Sequence, residues 1–377
     1  MDSLARLLAV AGKEAREILR DRITLGIAIA LPVVMMVLLG SAITLDVRDI
    51  RLAVLDEDGG PESRELIAAF VASGYFRLHA TAHDLDQVER LLDGGEARAV
   101  LVVPGDFSRN LRRGLPADVQ ILLDGSFANT AIVAANYADA IIDVATHHVR
   151  EAALAARGIR LAPAVRLDAR VRYNPDLRGE RFVIPGLFAV ILMAFPPLLT
   201  ALAVVRERER GSILQIAIAP IRAWQFLGGK LLPYAGIAFL EMLLLLALGR
   251  LWFGVEVAGS VPLLLALAGV YVLCTVGIGL LVSTSTRSQV VAILLAIVLT
   301  LMPSFLFSGF LFPIETMPVL FQWYTHLFPA RHFMEISRGI SLEAAGLEQL
   351  WPSASLLVVY AGVVLTLACL RFRRGLG

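Results

Sequence analysis

Apolar residues in this chain gather in six runs, unevenly placed. The first, at 23–43, stands alone, and a long, mostly polar stretch follows it. Runs at 183–205, 231–249, 261–282, 289–312 and 353–370 then fill the remainder. Each approaches the ~20 helical residues that cross a ~30 Å hydrocarbon core. The pattern predicts an α-helical membrane protein with six transmembrane helices in a 1 + 5 layout. The first run is too long for the apolar core of a signal peptide, and no small-x-small cleavage site follows it, so it reads as a true span.

Lys and Arg in the short connections set the orientation. Arg6, Lys13, Arg16, Arg20 and Arg22 precede the first run; Arg206, Arg208, Arg210, Arg222 and Lys230 lie between the second and third. Arg287 follows the fourth, and Arg371, Arg373 and Arg374 close the chain. Six crossings put all four segments on one side, so both termini are expected in the cytoplasm. Residues 46–181 are then extracytoplasmic, between an N-terminal unit 1–45 and a five-helix domain 182–377.

The polar stretch alternates strand and helix signals, predicting an inserted α/β extracytoplasmic domain. Strands are expected at 51–55, 76–80, 97–103 and 118–123, and helices at 63–72, 106–113 and 129–156. Another helix opens at the Asp84/Gln87 capping pair and stops at Gly94-Gly95. Residues 165–173 read as an extended return toward the membrane.

Before the first span, Leu4, Leu7, Leu8, Ala11, Ala15, Ile18 and Leu19 share an arc of roughly 120° on a 3.6-residue helix, with basic residues opposite. Such a face suits either a helix lying among anionic headgroups or one packed on the protein's own bundle.

Composition narrows the chemistry. The chain is 57% hydrophobic and 18% charged with net charge +1, which gives no electrostatic case for nucleic acid. Cys274 and Cys369 both lie in apolar runs, so the polar domain folds without disulfides. The GGK at 228–230 is not a phosphate-binding loop, because Trp224 stands where the first Gly belongs and Leu231 follows the Lys. His79 and His83 belong to a strand and the turn after it, so no metal site is expected. The DEDGG at 56–60 reads as a turn rather than a calcium loop, and GIG at 277–279 as close helix packing. Glu241 lies mid-span, where a charge costs about 2.5–3.5 kcal/mol on insertion scales, so it must face protein or water. It either lines a polar path or bonds a neighbouring helix.

Two segments lack an obvious place. RERERGSILQIAIAPIRAWQFLGGK (206–230) is longer than a helix connection needs, and Ile213, Leu214, Ile216 and Ile218 require burial. A short helix docked on a cytoplasmic partner satisfies both, with a break at Pro220. The stretch 308–340 is cut by Pro313, Pro318 and Pro329 into pieces too short to span, rich in Leu320, Phe321, Trp323, Tyr324, Leu327 and Phe328. It reads as re-entrant or interfacial helices on the outer side.

Together, RERERGS (206–212), Pro220 followed by LGGKLLPY (227–234), SGFLFPIETMP (308–318) with RGI (338–340), and YNPDLRGERFVIPGL (173–187) resemble the permease subunits of ABC-2 type transporters, the type V ABC exporters. Ser212 replaces the more usual Thr. The large external domain resembles the drug-exporter-like branch.

The resemblance implies a transport subunit that is not itself an enzyme, with no cofactor of its own; ATP and Mg would sit on a separate cytoplasmic ABC ATPase. It also implies a second permease copy or close homologue. Coupling to the ATPase would fall on Glu207, Glu209, Arg210, Gly211 and Ser212. The second and fifth spans would line the path, with bends at Pro185, Pro196, Pro197 and Pro303; Glu241, in the third span, stays open between the path and a bond to a neighbouring helix. Ser308, Gly309, Phe310, Phe312, Pro313, Met317 and Pro318 would form the outer gate. The external domain would meet substrate or dock a periplasmic membrane-fusion adaptor, and membrane lipids would surround the spans.

The leading expectation is ATP-driven export of an amphipathic or hydrophobic compound such as a drug, antibiotic or lipid-like molecule. An ion exporter using Glu241, and a membrane sensor or scaffold with an external ligand-binding domain, are the alternatives.

Overall fold

The computed structural model describes residues 3–42, 49–126, 128–155, 178–209, 211 and 221–374. The chain divides into two compact units, one of Met1–Leu45 with Val171–Gly377, the other of Asp46–Arg170.

The first unit is helical. Among the described residues six helices are long and apolar enough to cross a membrane. They are α2 (Arg22–Ala42), α7 (Gly179–Glu209), α8 (Ala223–Leu251), α9 (Val261–Ser285), α10 (Gln289–Leu306) and α13 (Leu347–Arg374). An amphipathic helix, α1 (Ser3–Arg20), precedes them, and two shorter helices, α11 (Val319–Thr325) and α12 (Pro329–Glu343), lie between α10 and α13.

The bundle is organised around α7. Its apolar window is 83% buried, against 28% for α8, α10 and α13. The sequence explains why: Val183–Ala194 is apolar on every face, the pattern of a helix surrounded by others. α9 packs on α7 and α13. Tyr271 Oη donates to Ala189 O at 2.7 Å while its ring stacks on Phe333 of α12 at 4.3 Å. GIG closes these contacts: Gly277 lies under Val364 and Leu365, and a Cβ on Gly279 would collide with Pro197 O and Thr200.

Pro196 and Pro197 leave α7 short of backbone donors. Just after them, Thr200 Oγ1 donates to Pro196 O at 2.8 Å and Ser283 of α9 accepts from Val204 N at 2.9 Å, so side-chain hydrogen bonds enter the backbone of this stretch. In α10 the turn before Pro303 widens into a π-helix at Ile297–Leu301. That span stops at Leu306 rather than at 312. The apolar residues that extend its hydropathy, Phe310 to Phe312, lie beyond the helix end, after a bend through Gly309 with φ +81°.

The second unit holds a four-stranded sheet in the order β2-β1-β3-β4, from β1 (Ile50–Asp56), β2 (Phe76–Ala82), β3 (Ala99–Val103) and β4 (Gln120–Leu123). β1 pairs in parallel with β2 and β3, and β4 is antiparallel to β3. α3 (Pro61–Ala72), α5 (Phe107–Arg113) and α6 (Ala128–Ala155) cover one face, where Leu52, Val54, Leu101 and Val103 meet Phe70, Phe107 and Ala138. α4 (Leu85–Asp93) covers the other with Val88 and Leu91. Both faces are buried, as parallel pairing requires.

The capping pair is realised: Asp84 accepts from Gln87 N at 2.6 Å and Gln87 Oε1 from His83 N at 3.0 Å. DEDGG is a turn closed by Asp56 and Asp58, with Gly59 at φ +61°. The expected extended return at 165–173 lies outside the described residues.

Candidate functional site

Sequence-predicted site residues fall at three places in the helical unit. The first is the end where α7 stops and α8 starts, the end rich in Lys and Arg. There α1 lies on α8. Ser3, Leu7, Val10, Glu14 and Ile18, spaced three or four apart, form its inner side. The approach is close because the second turn of α8 carries two glycines. A Cβ on Gly229 would stand 2.6 Å from Val10 Cβ and 2.9 Å from Leu7 O, and one on Gly228 3.2 Å from Leu7 Cδ1. Gln225 Nε2 donates to Ser3 Oγ at 2.7 Å, fixing the start of α1.

Lys230 follows the glycines and carries its charge inward, with 1% of the residue exposed. Its Nζ meets Glu14 Oε2 at 2.6 Å, Ala203 O at 3.0 Å and Glu207 Oε1 at 3.3 Å. Glu14 also accepts from Tyr234 Oη at 3.0 Å, and Glu207 from Lys13 Nζ at 3.1 Å. Two hydrogen bonds and a second carboxylate within ion-pair distance surround the ammonium, the kind of compensation under which a buried charge is tolerated. The cluster joins α1, the last turn of α7 and the first turns of α8. GGK is therefore a helix landing followed by a buried counter-charge.

This places Glu207 inside a joint of the chain, buried against α1 and α8. Glu209 is exposed and accepts from the backbone N–H of Gln289 at 2.7 Å, so it caps the start of α10. Arg206 meets Asp21 at 3.6 Å, and Arg208 donates to Thr286 O at 2.7 Å. Gly211 has φ +74°. Arg210 and Ser212 lie outside the described residues, as do Pro220 and the apolar run from Ile213 to Ile218. The joint draws in Glu14 and Lys230, which sequence reasoning missed. A signal existed: Glu14 sits at the edge of the apolar arc of α1, in helical register with Leu7, Val10 and Ile18.

Of the two readings offered for this amphipathic helix, the structure shows packing on the protein's own bundle. Its inner side packs on α8, and an adjacent stripe with Leu4, Leu8 and Leu19 is left exposed.

The second place is intramembrane. Glu241 is 1% exposed, and neither carboxyl oxygen has a hydrogen-bond partner among the described residues. Pro196 and Pro197 are buried on α7, and Pro303 is on α10. No hydrogen bond among the described residues links these positions to Glu241. Because α7 is enclosed within the bundle, little of it is free to line a path: Phe195, Leu198, Leu199 and Leu202 are its half-buried stripe.

The third place is the opposite end, after α10. Ser308 is buried and bonds to Ser304 O. Gly309 O accepts from Arg338 Nη1 at 2.9 Å. Phe310 packs on Gly186 and edge-on to Phe305 at 5.8 Å. Phe312 is exposed, Pro313 precedes a single 3-10 turn, and Pro318 starts α11. Met317 O accepts from Gln322 Nε2 at 2.9 Å. Ser308, Gly309 and Phe310 thus face inward, while Phe312, Pro313 and Pro318 do not. Phe307 stacks on Phe328 at 5.5 Å, and Arg331 ties α11 to α12 through Gln322 O at 2.9 Å. Leu320, Trp323 and Leu327 remain exposed, an apolar surface at this end.

Residues 22–370 match the model of a family described as ABC-2 family transporter protein. The chain is 32% identical to "Probable multidrug ABC transporter permease YbhR" of Escherichia coli (strain K12) over 98% of both chains. It is 31% identical to "Probable multidrug ABC transporter permease YbhS" of the same organism, over 90% of this chain and 89% of that one. It is also 28% identical to its "Inner membrane transport permease YhhJ" over 86% of each.

Proposed function

Because this chain belongs to the ABC-2 transporter family, we propose that it is the permease subunit of an ATP-driven exporter in the bacterial inner membrane. A separate cytoplasmic ABC ATPase binds ATP and Mg, and a second permease copy or close homologue completes the path. The substrate is an amphipathic or hydrophobic compound, a drug, antibiotic or lipid-like molecule. The observation that carries this reading is the near full-length likeness to proteins named multidrug permeases. The apolar bundle with few intramembrane charges supports it.

Lys and Arg concentrate at the α1/α7/α8 end, which supports placing that end and both termini in the cytoplasm. The α/β unit, inserted after the first span, is then extracytoplasmic, positioned to meet substrate or a periplasmic membrane-fusion adaptor. The exposed stripe of α1, flanked by Arg16 and Arg20, suits the inner lipid interface.

Coupling follows from the joint. The ATPase engages the segment after Glu209, with Arg210, Gly211 and Ser212. Any displacement there pulls on Glu207, and through Lys230 and Glu14 on α1 and α8. Substrate moves along the free stripe of α7 and the exposed face of α10, where Pro196, Pro197 and Pro303 leave helices irregular enough to bend. The 308–318 turn closes the outer end.

Co-purification and transport test the reading. Expressed with its partner ABC ATPase, the chain should hold that subunit through purification. Vesicles containing both should move an amphipathic dye only with ATP. A stable complex with no ATPase, or dye movement indifferent to ATP, contradicts it.

One observation favours a second reading. Glu241 is a buried carboxyl without a partner among the described residues, as a site on an ion route would be. In that case Glu241→Gln abolishes transport while the complex still assembles.

A further inference from the structure

Arg338 lies on α12, but its guanidinium serves two other elements. Nη1 donates to Gly309 O at 2.9 Å, in the turn after α10. The planar group lies 3.7 Å from the ring centre of Phe182 in the first turn of α7. Gly186, one turn along α7, makes room for it. A Cβ there would meet Arg338 Nη2 at 3.0 Å and the Phe310 ring at 2.9 Å.

The cation is poorly satisfied. Nε and Nη2 are buried with no hydrogen-bond partner among the described residues. The acidic residue one turn before it, Glu335, is committed to Arg331 at 3.4 Å and to Ser353 at 2.5 Å. Burial without a counter-charge lowers the guanidinium to about 10. An enclosed guanidinium with idle donors is costly, and water would relieve that cost. The closed arrangement is held by one charge-assisted hydrogen bond and one ring contact, against the hydration that opening would restore.

We propose that Arg338 is the positioning residue of the outer gate, a latch holding the Gly309 turn against the outer end of α7 until transport releases it. The proposal rests on the reading of 308–318 as that gate. Opening exchanges the Gly309 carbonyl for water at Nη1 and admits water to Nε and Nη2, which offsets part of the cost of releasing the latch. Lysine cannot replace it fully, because an ammonium neither forks nor stacks flat on Phe182.

Ser308→Cys supplies the reporter, since Ser308 is 2% exposed and the substitution is nearly isosteric. In the intact complex with its ATPase, the thiol introduced by Ser308→Cys is labelled from outside with a membrane-impermeant maleimide. The chain without this substitution gives the blank for Cys274 and Cys369. With the Arg338 latch intact, labelling should be slow at rest and faster during ATP turnover. Arg338→Gln should label about tenfold faster at rest, the loss of one charge-assisted hydrogen bond, and gain little more with ATP. Arg338→Lys should fall between.

If Arg338→Gln does not assemble, Phe182→Leu carries the test, because it removes the ring contact and keeps the bulk. Equal resting rates with and without the latch, while ATP still speeds labelling, overturn the latch and leave the gate. Labelling indifferent to ATP when the latch is intact overturns the gate reading and the latch with it.

Discussion

Lys230 and Glu14 come from distant parts of the sequence, yet their charged ends meet at 2.6 Å with both side chains nearly wholly buried. A charge enclosed this way is stabilising only while its partners remain, and removing one leaves the other stranded. Glu14→Gln or Lys230→Met should each cost about 3–5 kcal/mol, the range for a broken buried pair. The double variant should cost clearly less than the sum, because no stranded charge remains at that contact. Chemical unfolding in detergent measures all three.

The glycine landing makes a separate claim. Gly229→Ala should push α1 off α8 and cost about 1–3 kcal/mol, as overpacking does. Gly12→Ala, which meets nothing within 4 Å, should be neutral or slightly stabilising. Limited proteolysis within residues 3–20 should speed up for the first variant and not for the second.

In the α/β unit, the Ser108 hydroxyl donates to Asp58, and Ser108 and Gly60 add backbone N–H donors. These bonds hold the carboxyl below its ordinary 3.8. A folded value below the unfolded one contributes stability that is complete above about pH 4 and lost as pH falls through and below it. Hydrogen exchange of the intact chain, corrected for the intrinsic pH dependence of the exchange rate, should show residues 56–63 and 107–113 losing protection as the pH falls through about 4 and below. Ser108→Ala should flatten that loss by removing the largest bond.

Glu241 separates the two transport readings. Glu241→Gln keeps size and shape and introduces no new charge, so assembly should be unchanged. Under the lead reading, dye transport by the purified complex should also stay within about twofold, a difference of less than ~0.5 kcal/mol. Complete loss of transport would favour the ion route.

Much of the architecture was legible because the bilayer imposes length and apolarity on every span and the pleat imposes period on every strand. DEDGG, Asp84 with Gln87, and Gly94-Gly95 punctuate the α/β unit where the structure turns. The end of α10 was misplaced because hydropathy cannot distinguish Phe310–Phe312 in a helix from the same residues after a left-handed glycine. The burial of α7 was hidden for a different reason. Hydropathy is as high for helices facing lipid as for helices facing protein, so the central position of Val183–Ala194 emerges only from packing. The joint was half legible: Glu207 stood out in RERERG, but its partners Glu14 and Lys230 come from segments whose adjacency only the fold supplies. GGK illustrates the limit, since its residues resemble a phosphate loop and serve as a landing and a counter-charge.

The central claim is that ATP-driven work enters transport through Glu207 and its buried partners, and one comparison tests it most directly. Vesicles containing the complex of this chain with its ATPase are assayed for ATP-dependent uptake of an amphipathic dye and for dye-stimulated ATP hydrolysis. The account predicts that Glu207→Gln retains the ATPase subunit and basal hydrolysis but loses dye stimulation and about nine-tenths of the uptake, a change of ~1.4 kcal/mol. Uptake and stimulation equal to those of the unaltered complex would contradict it.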